Sequence, residues 1–144
     1  MARLVTRPLR FTVANKQAWL FVNAEHADRM RFSLLDEAGA ALPGLSERDC
    51  TGTSAAGGEQ LVVGWVGGPT ALGAVAGKPV RLSVCFGDAE ARLYSFWVAS
   101  SACGASGGWL AAGGRGFNST RDLYGICSQS HAPQEKSDDA SHGQ

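Results

Sequence analysis

An all-β fold, an antiparallel β-sandwich of jelly-roll type, is the class this sequence predicts, and three observations predict it. Apolar residues alternate at period two through most of the first hundred positions, the pattern of strands with one buried face. Turn chemistry recurs between those runs, at Asn15-Lys16-Gln17, Asp36-Glu37-Ala38-Gly39, Leu42-Pro43-Gly44 and Gly67-Gly68-Pro69. No amphipathic stretch runs longer than two helical turns. Six or seven short strands at such spacing point to a sandwich.

The elements follow in order. Val5, Leu9, Phe11 and Val13 share one parity while Thr6, Arg10 and Thr12 take the other, predicting an entry strand with one buried face. Ala18-Trp19-Leu20-Phe21-Val22 is apolar on both faces, as a central strand is. Met30, Phe32 and Leu34 alternate with Arg29, Arg31 and Ser33 in a third strand. Residues 51–60 are small and polar and predict a loop. Leu61, Val63 and Trp65 alternate in a further strand, with Trp65 directed to the core. Thr70 to Ala76 predicts one helical turn closed by Gly77, which Pro79 prevents from continuing. Val80, Leu82, Val84 and Phe86 then alternate with Arg81, Ser83 and Cys85. After a turn over Gly87 to Ala91, Arg92 to Val98 forms a last strand with Tyr94, Phe96 and Val98 on its apolar face. The predicted organisation is a sandwich over 4–100, a Gly-rich segment over 101–127 that packs on it, and a disordered tail over 128–144.

Composition bounds the function. The chain is 44% hydrophobic and 18% charged, a globular rather than a disordered balance. Thirteen basic and thirteen acidic residues cancel, and they cancel locally as well, with 7 against 7 over 1–60 and 6 against 6 over 61–144. A nucleic-acid partner requires a cationic surplus that neither half supplies. No window approaches the roughly 18 consecutive apolar residues of a membrane span. The basic N-terminus through Arg10 opens into no apolar h-region and does not read as a secretory signal. Localisation stays open, since the chain is expected to be a truncated product of a longer one that could itself be exported.

Cys50, Cys85, Cys103 and Cys127 contain no Cys-x-x-Cys pair, which argues against a zinc site. Two disulfides in any of three connectivities, or four free thiols, are compatible with their spacing, which selects no pairing. Asn118-Ser119-Thr120 is a glycosylation acceptor only in an exported chain. His26, beside Glu25 and Asp28, fits a solvated hairpin tip better than a metal site. No cofactor is expected.

Gly104-Ala105-Ser106-Gly107-Gly108 has the Gly-x-Ser-x-Gly form of a nucleophile elbow, with Asp122 and His131 following in triad order. That motif requires a strand before it and a helix after it, and no helix follows here, so a serine hydrolase acting through Ser106 is the remote alternative. Asp36, Glu37, Glu47, Asp49, Asp88 and Glu90 fall at strand ends and turns, where solvated charge is the default. A glycosidase needs two carboxylates facing each other across a sugar. Asp49-Cys50 is the most distinctive polar pair: Asp49 is a candidate ligand contact, against an Asx-type turn beside a buried Cys. Tyr94 and Trp97 have opposite parity and are expected on opposite faces. Trp109 is the aromatic whose neighbours least demand burial, and it is the candidate for stacking on a sugar.

Three stretches carry a family resemblance. They are Leu34-Leu35-Asp36-Glu37-Ala38-Gly39 through Leu42-Pro43-Gly44 to Asp49-Cys50, then Leu72 through Ala76-Gly77-Lys78-Pro79-Val80-Arg81-Leu82, then Leu93-Tyr94-Ser95-Phe96-Trp97. With Thr6-Arg7-Pro8-Leu9-Arg10-Phe11 and Leu20-Phe21-Val22-Asn23-Ala24, they resemble the C-terminal β-sandwich module of glycoside hydrolase family 32/43-like proteins, a mostly uncharacterised group. The likeness covers about residues 4–117, with Arg115 standing where the group usually has Pro and a longer Gly87–Arg92 turn. In that group the sandwich packs against a five-bladed propeller that carries the catalytic carboxylates. No such propeller lies in this chain, so no catalytic residue transfers to it. The resemblance implies a non-catalytic accessory or interaction module whose partner is a propeller domain or another protein. A carbohydrate-binding module is the alternative.

Overall fold

The structure, a computed structural model, describes residues 1–13, 16–68 and 70–105. Among them seven strands form two antiparallel sheets: β1 Ala2–Val5, β2 Trp19–Glu25, β3 Met30–Leu35, β4 Cys50–Thr53, β5 Gly58–Trp65, β6 Arg81–Phe86 and β7 Arg92–Ala99. The order is β1-β6-β3 in one sheet and β4-β5-β2-β7 in the other. Short 3-10 turns at Ala27–Arg29 and Ala71–Val75 are the helical elements described.

Period-two alternation places the core. Met30, Phe32 and Leu34 of β3 and Leu82 and Val84 of β6 face Leu20, Val22 and Ala24 of β2 and Leu61, Val63 and Trp65 of β5. β2 is a central strand, flanked by β5 and β7, as its two apolar faces predict. Its outward Phe21 stacks on Trp97 with ring centroids 5.7 Å apart, and the Trp97 indole donates to the Gly104 carbonyl at 3.0 Å. Residues 103–105 are thereby held against the outer face of the four-stranded sheet.

Trp65 ties the two sheets together. It is 2% exposed, and its Nε1–H donates to the Phe32 carbonyl across the core at 3.2 Å. Among the described strands β3 pairs with β6 alone, and its other edge takes its partners from outside the ladder. The Phe32 N–H on that edge donates to the Cys50 Sγ, and the Phe32 carbonyl takes the indole. The apolar sandwich interior offers few other ways to satisfy these groups.

Three expectations change. The entry strand ends at Val5 and not near Val13. Pro8 has no N–H to donate to a ladder, and the chain regains β6 only as a single bridge between Leu9 and Val80. The predicted loop over 51–60 instead contains most of β4 and the start of β5. The two strands pair through their backbones with a register shift between Cys50 and Gly52, so small polar side chains do not prevent pairing. Tyr94 leaves the apolar face of β7 and is 53% exposed, because a register shift against Asn23 and Ala24 breaks alternation beside it. The expected turns at Gly39 and Gly77 form with positive φ of 97° and 84°, where glycine is unstrained.

Candidate functional site

Two outward positions of the three-stranded sheet, Arg3 on β1 and Arg31 on β3, flank β6 on its solvent side, in register with Cys85. The connection after β3 folds back over this face. Leu42 and Leu45 exchange backbone hydrogen bonds with Leu34, and Ser33 below is buried. Between sheet and connection lies an open polar basin of about 900 Å³, lined by Arg3, Arg31, Ser46, Glu47, Arg48 and Asp49 among others.

Each charged group around it is placed by a specific contact. The Arg3 guanidinium donates to Glu47 at 2.7 Å and to the Ser83 hydroxyl at 3.1 Å. The hydrogen bond to Glu47 and the charge of that carboxylate both raise the Arg3 pKa. Arg31 donates to the Cys50 carbonyl at 2.7 Å, which orients its planar fork. Asp49 accepts from the Ser46 hydroxyl at 2.8 Å, while that oxygen accepts from the Asp49 N–H at 3.2 Å. This turn is built by the Ser46 hydroxyl, and the Asp49 carboxylate accepts from that hydroxyl and not from a backbone N–H as in an Asx-type turn; Cys50 beside it is buried at the start of β4. Arg48 is exposed on the rim and has no ion pair among the described residues. Among the described residues, three guanidinium groups against two carboxylates give the basin lining one net positive charge.

Of the remaining predicted carboxylates, Asp36 and Asp88 work as turn acceptors. Asp36 takes the Ala40 N–H at 2.9 Å, and Asp88 takes the Glu90 N–H at 2.9 Å while pairing with Arg29. The Asp88 pKa is lowered, first by that backbone hydrogen bond and then by the Arg29 charge. His26 sits at a hairpin tip with its side chain half exposed and 4.0 Å from Glu90. No group of three or more His, Cys, Asp or Glu able to hold a metal occurs among the described residues. No described helix is long and apolar enough to cross a membrane. Cys50 and Cys85 are free and buried, whereas Cys103 is disulfide-bonded, so a Cys50–Cys85 pairing is excluded.

Trp109, Ser106, Asn118, Asp122, Cys127 and His131 lie outside the described residues. Of the predicted ligand contacts, Asp49 is in the basin. Arg3, Arg31, Arg48 and Ser46 were not singled out by the sequence. Arg31 and Ser33 stand out as a polar face in the alternation of β3, but their meeting with Arg3 depends on β1 and β3 both pairing with β6. Compared with known proteins, the chain matches no family model, no curated protein and no solved structure.

Proposed function

We propose that the chain is a non-catalytic β-sandwich interaction module that meets its partner through the polar basin. The observation that carries this reading is the set of guanidinium groups held there by Glu47, Ser83 and the Cys50 carbonyl, with Arg48 free at the rim. Guanidinium forks fixed in this way recognise carboxylate and other planar acceptors without reorganising. The turns and core strands that resemble the sandwich of glycosidase-like proteins fit the same role, since they supply a scaffold and no acid–base pair. A photoreactive residue in place of Ala41, which lines the basin, should cross-link one protein that the same residue at Val66 does not. Equal labelling from both positions, or none from Ala41, contradicts the proposal.

A carbohydrate reading is favoured by one feature of the basin. Guanidinium donors alternate with the Glu47 and Asp49 acceptors, a mixture that suits sugar hydroxyls and uronate carboxylates. Retention on a uronate-containing glycan array that is lost in Arg48→Glu supports it. No retention on any glycan sinks it and leaves the protein-interaction reading to the cross-linking experiment.

A further inference from the structure

The four cysteines of the chain are in different states. Cys50 on β4 and Cys85 on β6 are free and buried, whereas Cys103 is disulfide-bonded. With two of four cysteines free, the partner open to Cys103 within the chain is Cys127, 24 positions further on. Spacing alone allows three connectivities or none, and the two free thiols leave one.

The near end of that bond is clamped to the sandwich. The Cys103 carbonyl accepts from Gln60 Nε2 of β5 at 2.5 Å, and the Gly104 carbonyl accepts from the Trp97 indole of β7 at 3.0 Å. Gly104 has a φ of 80°, and a Cβ there would lie 2.1 Å from Gln60 Nε2 and 3.0 Å from the Phe21 ring. Glycine is therefore required where the chain leaves β7 and turns onto the outer face of the four-stranded sheet. Phe21 points to that face and not to the core, yet it is 4% exposed and stacked on Trp97.

The sequence after Cys103 is costly to order. Seven glycines fall in 104–125, and glycine loses more backbone freedom on folding than any other residue. Trp109, Leu110, Phe117 and Leu123 are too sparse to offset that cost by burial alone. A covalent bond between the two ends removes much of this freedom from the unfolded chain instead.

We infer that Cys103 and Cys127 are joined, and that the bond closes residues 104–126 into a ring seated on the outer face of the four-stranded sheet, beside Phe21 and Trp97. Closure is a two-electron oxidation. The two thiols give up two protons and two electrons to a disulfide oxidant such as oxidised glutathione, which leaves as two glutathione thiols. The clasp lies on the sheet opposite the polar basin and does not depend on it.

Equilibration of the full chain with oxidised glutathione, followed by non-reducing peptide mapping, tests the bond. Cys103 and Cys127 are expected in one disulfide-linked peptide pair, with Cys50 and Cys85 alkylated only in denaturant. Any other linkage, a dimer bridged through Cys103, or four alkylatable thiols overturns the pairing. Thermal melting tests the seating, because closing a ring stabilises the fold only when the ring is ordered on it. Cys127→Ser, and dithiothreitol on the wild type, should each lower the melting temperature by roughly 8 °C or more, the loss typical of opening such a loop. Dithiothreitol should not shift Cys127→Ser further. A bonded chain that melts within about 2 °C of its reduced form overturns the seating.

Discussion

Replacing Trp65 by Phe should remove the most deeply buried side-chain hydrogen bond that joins the two sheets, beside those from Phe32 and Arg31 to Cys50. The indole is 2% exposed and donates to the Phe32 carbonyl, which lies on the edge of β3 away from β6. Phenylalanine retains most of the ring but no donor. The carbonyl then loses its partner in a dry interior, at about 1–3 kcal/mol. The smaller ring adds about 1 kcal/mol of lost contact and residual cavity. The expected total is about 2–4 kcal/mol, which lowers the melting temperature of a domain this size by at least roughly 8 °C. Trp97→Phe is the matched control. Trp97 also donates to a backbone carbonyl, that of Gly104, but it is half-buried on an outer face where water can substitute. Its loss should therefore stay under about 1.5 kcal/mol, the net value of an ordinary hydrogen bond. Urea unfolding of the two variants at unchanged m-value gives the comparison. Equal losses, or a Trp65→Phe loss under about 1 kcal/mol, would refute the idea that this bond ties the sheets.

Other positions give equally definite expectations. Gly73→Ala should lower the urea midpoint strongly, since a Cβ there would lie 2.2 Å from the Lys16 carbonyl oxygen and 3.3 Å from the Ala18 nitrogen, both backbone atoms. A cost of about 1–3 kcal/mol is expected, as for overpacked sites, and an unchanged midpoint contradicts it. Asp88 carries a pKa below its ordinary 3.8, so its stabilising contribution is present above that value and is lost as pH falls through the lowered pKa. The melting-temperature gap between wild type and Asp88→Asn should therefore be widest near neutral pH and close in acid. A gap that persists in acid has the wrong sign for this linkage. Cys50 and Cys85 are free but buried. Peptide-resolved alkylation should leave both unmodified in the native chain and modify both in denaturant; rapid native labelling of either contradicts the fold.

Most of the architecture is legible in the sequence because its cause is local. β3, β5 and β6 show their alternation directly, β2 shows the continuous apolar run of a central strand, and Trp65 points inward at the parity its neighbours set. What is not legible depends on pairing. β4 has no hydrophobic signature, because a short edge strand of Thr and Gly is held by backbone bonds to β5. Tyr94 is misplaced by alternation because a bulge is a property of two strands and not of one. The basin is hidden for a similar reason. Arg3 and Arg31 are far apart in the chain and become neighbours through β6, and the connection that carries Ser46 to Asp49 folds over them. Asp49 alone stands out in the sequence, as half of the Asp49-Cys50 pair, while the turn that holds it is made by Ser46.

The most direct test of the interaction-module reading is photo-cross-linking from Ala41 in the full chain, with Val66 as the control position and Arg48→Glu as the second variable. The expected result is one protein captured from Ala41, absent from Val66, and reduced several-fold when Arg48→Glu reverses the charge at the rim. Capture from Ala41 that is indifferent to Arg48→Glu, or matched at Val66, would contradict a partner bound through the basin.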